Sequence, residues 1–266
     1  MGAAIEVDKM AACDFDRLFT TNVPYIRAKI FCSLDYKSFK TCLEVTKSWR
    51  EFMTTEPFYV KRFRKDIQRD IMKAAEVGNV DIILTLLSCF RIDVNYVTRK
   101  KETPLFMAAR CGHANVVELL LDNGAKPNMA NIEGDNPLIM AAYYGHKDVL
   151  QLLLTRGAEP NITNEAGFTP MAWVAVKGHK DLVQPLLASG ANVNMADQFH
   201  VTPLHLASNE GHKEVVQLLL EGGAEPNAAD TNGLTSLQYA QRLYSTRYAL
   251  MRIHIIKQKM HYRMTQ

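Results

Sequence analysis

The sequence predicts an all-α fold, a solenoid of stacked helix-turn-helix units joined by β-turn loops and preceded by a small three-helix domain. Two observations predict it. From residue 103 onward, three separate markers recur in one frame at a step of 33 residues, which is the mark of a repeat array. Residues 21–66 share none of those markers and carry a helical spacing of apolar residues of their own. The chain therefore divides into a tail (1–20), a small helical domain (21–66) and a repeat domain (67–266) with atypical capping units at both ends.

The first marker is Thr103-Pro104-Leu105, which returns as Asn136-Pro137-Leu138, Thr169-Pro170-Met171 and Thr202-Pro203-Leu204, with a worn copy at Thr235-Ser236-Leu237. Thr103 can cap a helix whose first turn holds Pro104, where a missing N–H costs nothing. The second is Gly112-His113, then Gly145-His146, Gly178-His179 and Gly211-His212. Here the glycine ends the first helix in a left-handed turn. Between them, Ala108-Ala109 are small enough for two helices to approach. The third is Gly124-Ala125, Gly157-Ala158, Gly190-Ala191 and Gly223-Ala224. It closes a second helix whose apolar stripe is Val116-Val117 and Leu119-Leu120-Leu121. Asn128 and Asn161 fall where a turn is needed.

This pattern resembles the ankyrin repeat and covers about residues 68–266, or six units. One unit cannot bury its own apolar face, so neighbours must stack. The unit from Ile71 to Asn95 lacks Thr-Pro-Leu and has Gly78-Asn79 for Gly-His, which suits an N-terminal cap. The Thr235 unit lacks Gly-His and Gly-Ala, which suits a C-terminal cap. Pro185 stands where other units have Leu119, Leu152 and Leu218. An interior proline removes a hydrogen bond at a cost of roughly 3 kcal/mol, so this helix is expected to start late or kink.

In residues 21–66, Pro24 can open one helix, and Ser38 and Thr46 can cap two more. Ile30, Leu34, Leu43, Val45 and Trp49 supply a shared core. Leu34-Asp35, Val45 and Trp49-Arg50 fall at mutual spacings that resemble an F-box. Val23 replaces the usual first leucine, and the gap from Pro24 to Ile30 is one residue short. The resemblance implies binding to the small adaptor of a cullin–RING ubiquitin ligase through Pro24, Ile30, Phe31, Leu34 and Val45, with Trp49 shaping that surface. It also implies that the repeats choose the ligase's substrate. A three-helix cap that shields the end of the solenoid is the alternative for this segment. A repeat scaffold or inhibitor with no ubiquitin link is the alternative for the chain.

No catalytic or cofactor chemistry is expected. The sequence holds no phosphate loop of Gly-x-x-x-x-Gly-Lys type, no Gly-x-Ser-x-Gly elbow and no His-Glu-x-x-His. Four of its eight histidines belong to the Gly-His marker. One repeat, about 10 Å, separates each from the next, too far for shared zinc ligation. Hydrogen bonding between neighbouring loops is their expected role, and His205 is also read as structural. Five scattered cysteines without a C-x-x-C pair suit reduced thiols. With no apolar leader at the N-terminus and no long apolar run, a cytoplasmic setting is expected, with the nucleus left open. A net charge of +3 is too small to suggest nucleic acid. Lys61–Lys65 is read as the wet face of a linking helix rather than an import signal. The basic, amphipathic 241–266 is read as a capping helix rather than a membrane or nucleic-acid surface.

The partner expected is a protein held on the concave face, where the ankyrin resemblance places recognition at turn tips and first-helix ends. Those positions include Arg110, Glu102, Glu133, Asp135 and Glu210, but also Ile132, Tyr143, Tyr144, Phe168, Val176, Lys177, Phe199 and Val201. Apolar and aromatic residues grouped on a surface suggest a binding hot spot. Packing of some of them against neighbouring loops is the competing reading. Trp173, at a position usually held by leucine, is assigned to packing, and Glu133, Asp135 and Lys177 to orienting the partner.

Overall fold

The computed structural model describes residues 68–89 and 92–242. The F-box-like residues Pro24, Ile30, Phe31, Leu34, Val45 and Trp49, the basic run 61–65 and the C-terminal segment 243–266 lie outside them. The described residues belong to two compact units, 68–71 with 81–89 and 92, and 72–80 with 93–242. In the first, Ile71 and Ile83 are fully buried.

Helices alternate along the chain. A helical stretch at 68–77 (α1) is followed by α2 (Val80–Cys89), α3 (Pro104–Cys111) and α4 (Ala114–Asp122). Then come α5 (Pro137–Tyr144), α6 (Lys147–Thr155), α7 (Pro170–Lys177), α8 (Lys180–Ala188), α9 (Pro203–Glu210), α10 (Lys213–Glu221) and α11 (Ser236–Arg242). In the second unit, α3, α5, α7, α9 and α11 pack side by side in one row. A second row is formed by α4, α6, α8 and α10, and the two helices of each repeat pack on each other. The core lies between the rows. Val116, Leu120, Val149, Leu153, Leu182, Leu186, Val215 and Leu219 fill it from one side and the paired alanines Ala108-Ala109 and Ala141-Ala142 from the other.

The markers work as their chemistry requires. Thr103 Oγ1, Asn136 Oδ1 and Thr169 Oγ1 accept hydrogen bonds from the N–H three residues on, at 2.8–3.1 Å. Helices α3, α5, α7 and α9 each end on a left-handed glycine, such as Gly145 at φ 81. The histidine that follows reaches back one repeat. Nε2 of His113, His146, His179 and His212 pairs with the carbonyls of Glu76, Arg110, Tyr143 and Val176, at 3.0–3.1 Å. The rings lie so close to the preceding glycine that a Cβ on Gly145 would meet His179 Cε1 at 2.7 Å.

The asparagines do more than turn the chain. Asn95, Asn128, Asn161 and Asn194 donate from Nδ2 to the carbonyls of Gly124, Gly157, Gly190 and Gly223 in the next repeat. Their Oδ1 atoms accept from the N–H of Lys126, Glu159, Asn192 and Glu225. Each repeat is thus stapled to the next twice, once by imidazole and once by amide.

Pro185 does not delay its helix. The helix α8 has nine residues, as α4, α6 and α10 do. Its first turn differs instead. Leu182 N–H bonds to the His179 carbonyl three residues back, whereas Val117, Leu150 and Val216 bond four residues back. The proline ring crowds the carbonyl of Asp181 and offers it no N–H, and the turn before it is tightened.

Candidate functional site

The turn tips form a second ladder. Oδ1 of Asn131, Asn164, Asp197 and Asp230 accepts from two backbone N–H groups, two and four residues on. Neighbouring tips are joined by backbone bonds from Ile132 N to Lys100 O, Glu165 N to Glu133 O and Thr231 N to Phe199 O. Side chains on these tips are therefore held on a fixed frame.

Three of the predicted site residues stand well out in water: Ile132 at 46% exposure, Tyr144 at 50% and Phe199 at 57%. Lys177 is also exposed, while Tyr143, Phe168, Val176 and Val201 are half-buried. The half-buried aromatics are engaged with one another. Tyr143 meets Tyr144 edge-on at 4.8 Å between centroids and Trp173 edge-on at 4.8 Å. Trp173 stacks on Phe168 at 5.0 Å. Tyr144 stacks over His146 at 6.1 Å. The result is a run of rings, Tyr144–Tyr143–Trp173–Phe168, that crosses from α5 to α7 and onto the tip before α7. Its inner members, Tyr143, Trp173 and Phe168, pack on one another, and Tyr144 at its end faces solvent.

Trp173 belongs to this run. It packs, as expected, and it does so against two of the aromatics assigned to the surface, while remaining half-buried. The equivalent Met107 and Met140 are buried. Leu206, in the same register, is half-buried as Trp173 is. Lys177 is engaged as well, with Nζ 4.2 Å from the centroid of the Tyr143 ring.

The charges divide differently from expectation. Asp135 is buried, not an orienting surface charge. Its carboxylate accepts from Asn164 Nδ2 at 2.9 Å. Burial, with Glu133 nearby, raises its pKa despite that bond. Glu133 remains exposed. Arg110 is paired with Glu76 at 3.4 Å and with Glu102 at 3.6 Å. Arg110 is thus engaged by two carboxylates, and the aromatic run begins at α5, one repeat later.

His205 is fully buried and structural. Its Nδ1 accepts from Thr202 N–H at 3.1 Å, and Nε2 pairs with the Leu234 carbonyl at 3.1 Å. This assigns the proton of the neutral ring to Nε2. Burial lowers its pKa, although the Leu234 carbonyl and Asp230 oppose the shift. In the same cap, burial alone would raise the Asp230 carboxyl. N–H bonds from Leu234 and Asn232 and the Tyr239 hydroxyl together bring it down to about 2.

Among the described residues, no group of three or more His, Cys, Asp or Glu side chains could hold a metal ion. No helix among them is long and apolar enough to cross a membrane.

Comparison with known proteins agrees with this architecture. The chain matches the family described as "Ankyrin repeats (3 copies)" over residues 71–164 and again over 171–253, more than half its length. It belongs to the ankyrin-repeat family. Ankyrin repeats are protein–protein interaction modules, so the partners implied for this face are proteins. A stretch of 66 residues, 25% of the chain, is 29% identical to BTB/POZ domain-containing protein 3 of Schizosaccharomyces pombe (strain 972 / ATCC 24843). That match covers 13% of the yeast protein, so the chain spans only a small part of this relative.

Proposed function

We propose that the chain is the substrate-recognition subunit of an F-box-type cullin–RING ubiquitin ligase, working in the cytoplasm and doing no chemistry itself. The ankyrin face captures a protein target, and residues 21–66 bind the ligase's adaptor. The observation that carries the capture half is the fixed aromatic run with its exposed edge at Tyr144. A surface that only met water would be polar there, as Asn209 and Glu210 are one repeat further on from Val176 and Lys177. Support for the adaptor half comes from the spacing of Leu34-Asp35, Val45 and Trp49-Arg50.

The test is a titration of the purified adaptor onto the full chain. Saturable binding is expected, lost on deletion of residues 1–66, while the repeats keep their melting transition. A folded full chain that binds no adaptor would remove the ligase reading and leave a repeat scaffold or inhibitor that masks its partner.

A further inference from the structure

The turn tips differ in charge along the array. In the first, Arg99, Lys100 and Lys101 are consecutive and exposed. The matching positions of the next three tips hold Ile132-Glu133-Gly134, Glu165-Ala166-Gly167 and Gln198-Phe199-His200. Lysine and arginine are thus gathered at one end of the row, and the exposed carboxylates of Glu133 and Glu165 follow them.

The acid beside the basic run does not cancel it. Glu102 is half-buried, accepts from Thr98 Oγ1 at 3.4 Å and pairs with Arg110 at 3.6 Å. The side chains of Arg99, Lys100 and Lys101 make no ion pair or hydrogen bond among the described residues. Lys101 is also marked by its backbone. It is left-handed at φ 58, in the register of Gly134, Gly167 and Gly233 at φ 76, 82 and 76. A side chain is disfavoured in that conformation, and this one returns no bond to the fold. The main chain beneath it is held. Lys101 N–H bonds to the Thr98 carbonyl at 2.9 Å, and the Lys100 carbonyl accepts from Ile132 N–H at 2.9 Å. Three cations therefore stand on an ordered turn with no partner of their own.

We propose that this tip seats a carboxylate-bearing stretch of the target protein and sets the direction in which the target lies along the array. The proposal rests on the capture half of the proposed function and names the class of segment captured. Tips repeat about every 10 Å, so Phe168, at the tip end of the aromatic run, lies two steps or about 20 Å along the row. An extended segment advances about 3.3 Å per residue, which puts its acids about six residues from its apolar anchor. Between the two it passes Glu133 and Glu165, which repel further acids. The captured segment is acidic at one end and apolar at the other.

The experiment selects displayed random peptides on the full chain at low salt. Selected peptides should carry Asp or Glu at one end, about six residues from an aromatic or aliphatic residue. Arg99→Gln, Lys100→Gln and Lys101→Gly together should weaken them at least about tenfold at low salt and less at high salt. The melting temperature should hold, since all three side chains are exposed. Peptides without a carboxylate, or an affinity unchanged by these substitutions, would overturn the proposal. If such peptides still weaken on Tyr144→Ala with Phe199→Ala, the capture reading stands without it. Peptides indifferent to both sets, or no peptide selected, would remove the capture reading and this proposal together. A random-sequence oligonucleotide bound more tightly than any peptide, and lost with the same three substitutions, would overturn it by assigning the tip to nucleic acid.

Discussion

Lys177 on α7 lies over the ring of Tyr143 on α5, its Nζ 4.2 Å from the ring centroid. The two residues sit at neighbouring first-helix ends, and the backbone beneath them is tied by His179, whose Nε2 pairs with the Tyr143 carbonyl at 3.1 Å. An exposed cation over a ring contributes roughly 0.5–1 kcal/mol. Lys177→Met should lower stability by no more than about that amount, and Lys177→Arg should restore it. Chemical denaturation of the three proteins decides this. A loss well above 1 kcal/mol would show that Lys177 supports more than one ring.

The Gly-His staple makes a paired prediction. Gly145 and Gly157 both have left-handed backbone, at φ 81 and φ 86. A Cβ at Gly157 meets nothing within 4 Å, whereas at Gly145 it would strike the His179 ring at 2.7 Å. Gly157→Ala should cost only the conformational penalty, about 1–2 kcal/mol. Gly145→Ala should cost that plus the displacement of His179. Equal losses in urea unfolding would mean that the imidazole moves aside freely.

Pro185→Leu should stabilise the chain by about 1–3 kcal/mol, since it returns an N–H to the Asp181 carbonyl and matches Leu119, Leu152 and Leu218. Amide exchange around α8 in the natural protein should be faster than in α6 or α10. A less stable variant would show that the tightened first turn of α8 is built into the packing.

His205 gives the stability a pH dependence. Its folded pKa is below the unfolded value of 6.5, so between those values the unfolded chain binds more protons and stability rises with pH. The melting temperature should therefore fall as pH is lowered from 7 through 6. His205→Gln should flatten its share of that slope, because an uncharged acceptor already fills the same role one repeat later, where Thr235 N–H donates to Gln238 Oε1 at 2.7 Å. An unchanged slope would place the titration on other groups.

The frame of the array was legible in the sequence because Thr-Pro, Gly-His and Gly-Ala are local solutions to local problems: a cap, a left-handed stop and a helix end. What was not legible depends on the neighbour. Asp135, Phe168 and Val201 hold one register, yet only Asp135 has Asn164 within reach to satisfy a buried carboxylate. Trp173 looked like core because its siblings are methionine and leucine, and its place in the aromatic run follows from meeting both Tyr143 and Phe168. The asparagine staple did leave a signal, since Asn95, Asn128, Asn161 and Asn194 recur every 33 residues. Turn propensity alone does not require that constancy. The shortened turn at Pro185 escaped because missing hydrogen bonds can be absorbed within the turn before them.

The central claim is that the aromatic run of α5 and α7, with the tip residue Phe199, binds a target protein from an already folded surface. It is tested most directly by measuring, on one preparation, the melting temperature and the affinity for a captured and purified target, for the natural chain and for Tyr144→Ala with Phe199→Ala. Both side chains are at least half exposed, so the melting temperature should change little. Anchoring aromatics contribute about 2 kcal/mol each, so affinity should fall on the order of thirtyfold for each one removed. A marked melting loss, or an affinity that does not change, would contradict the account.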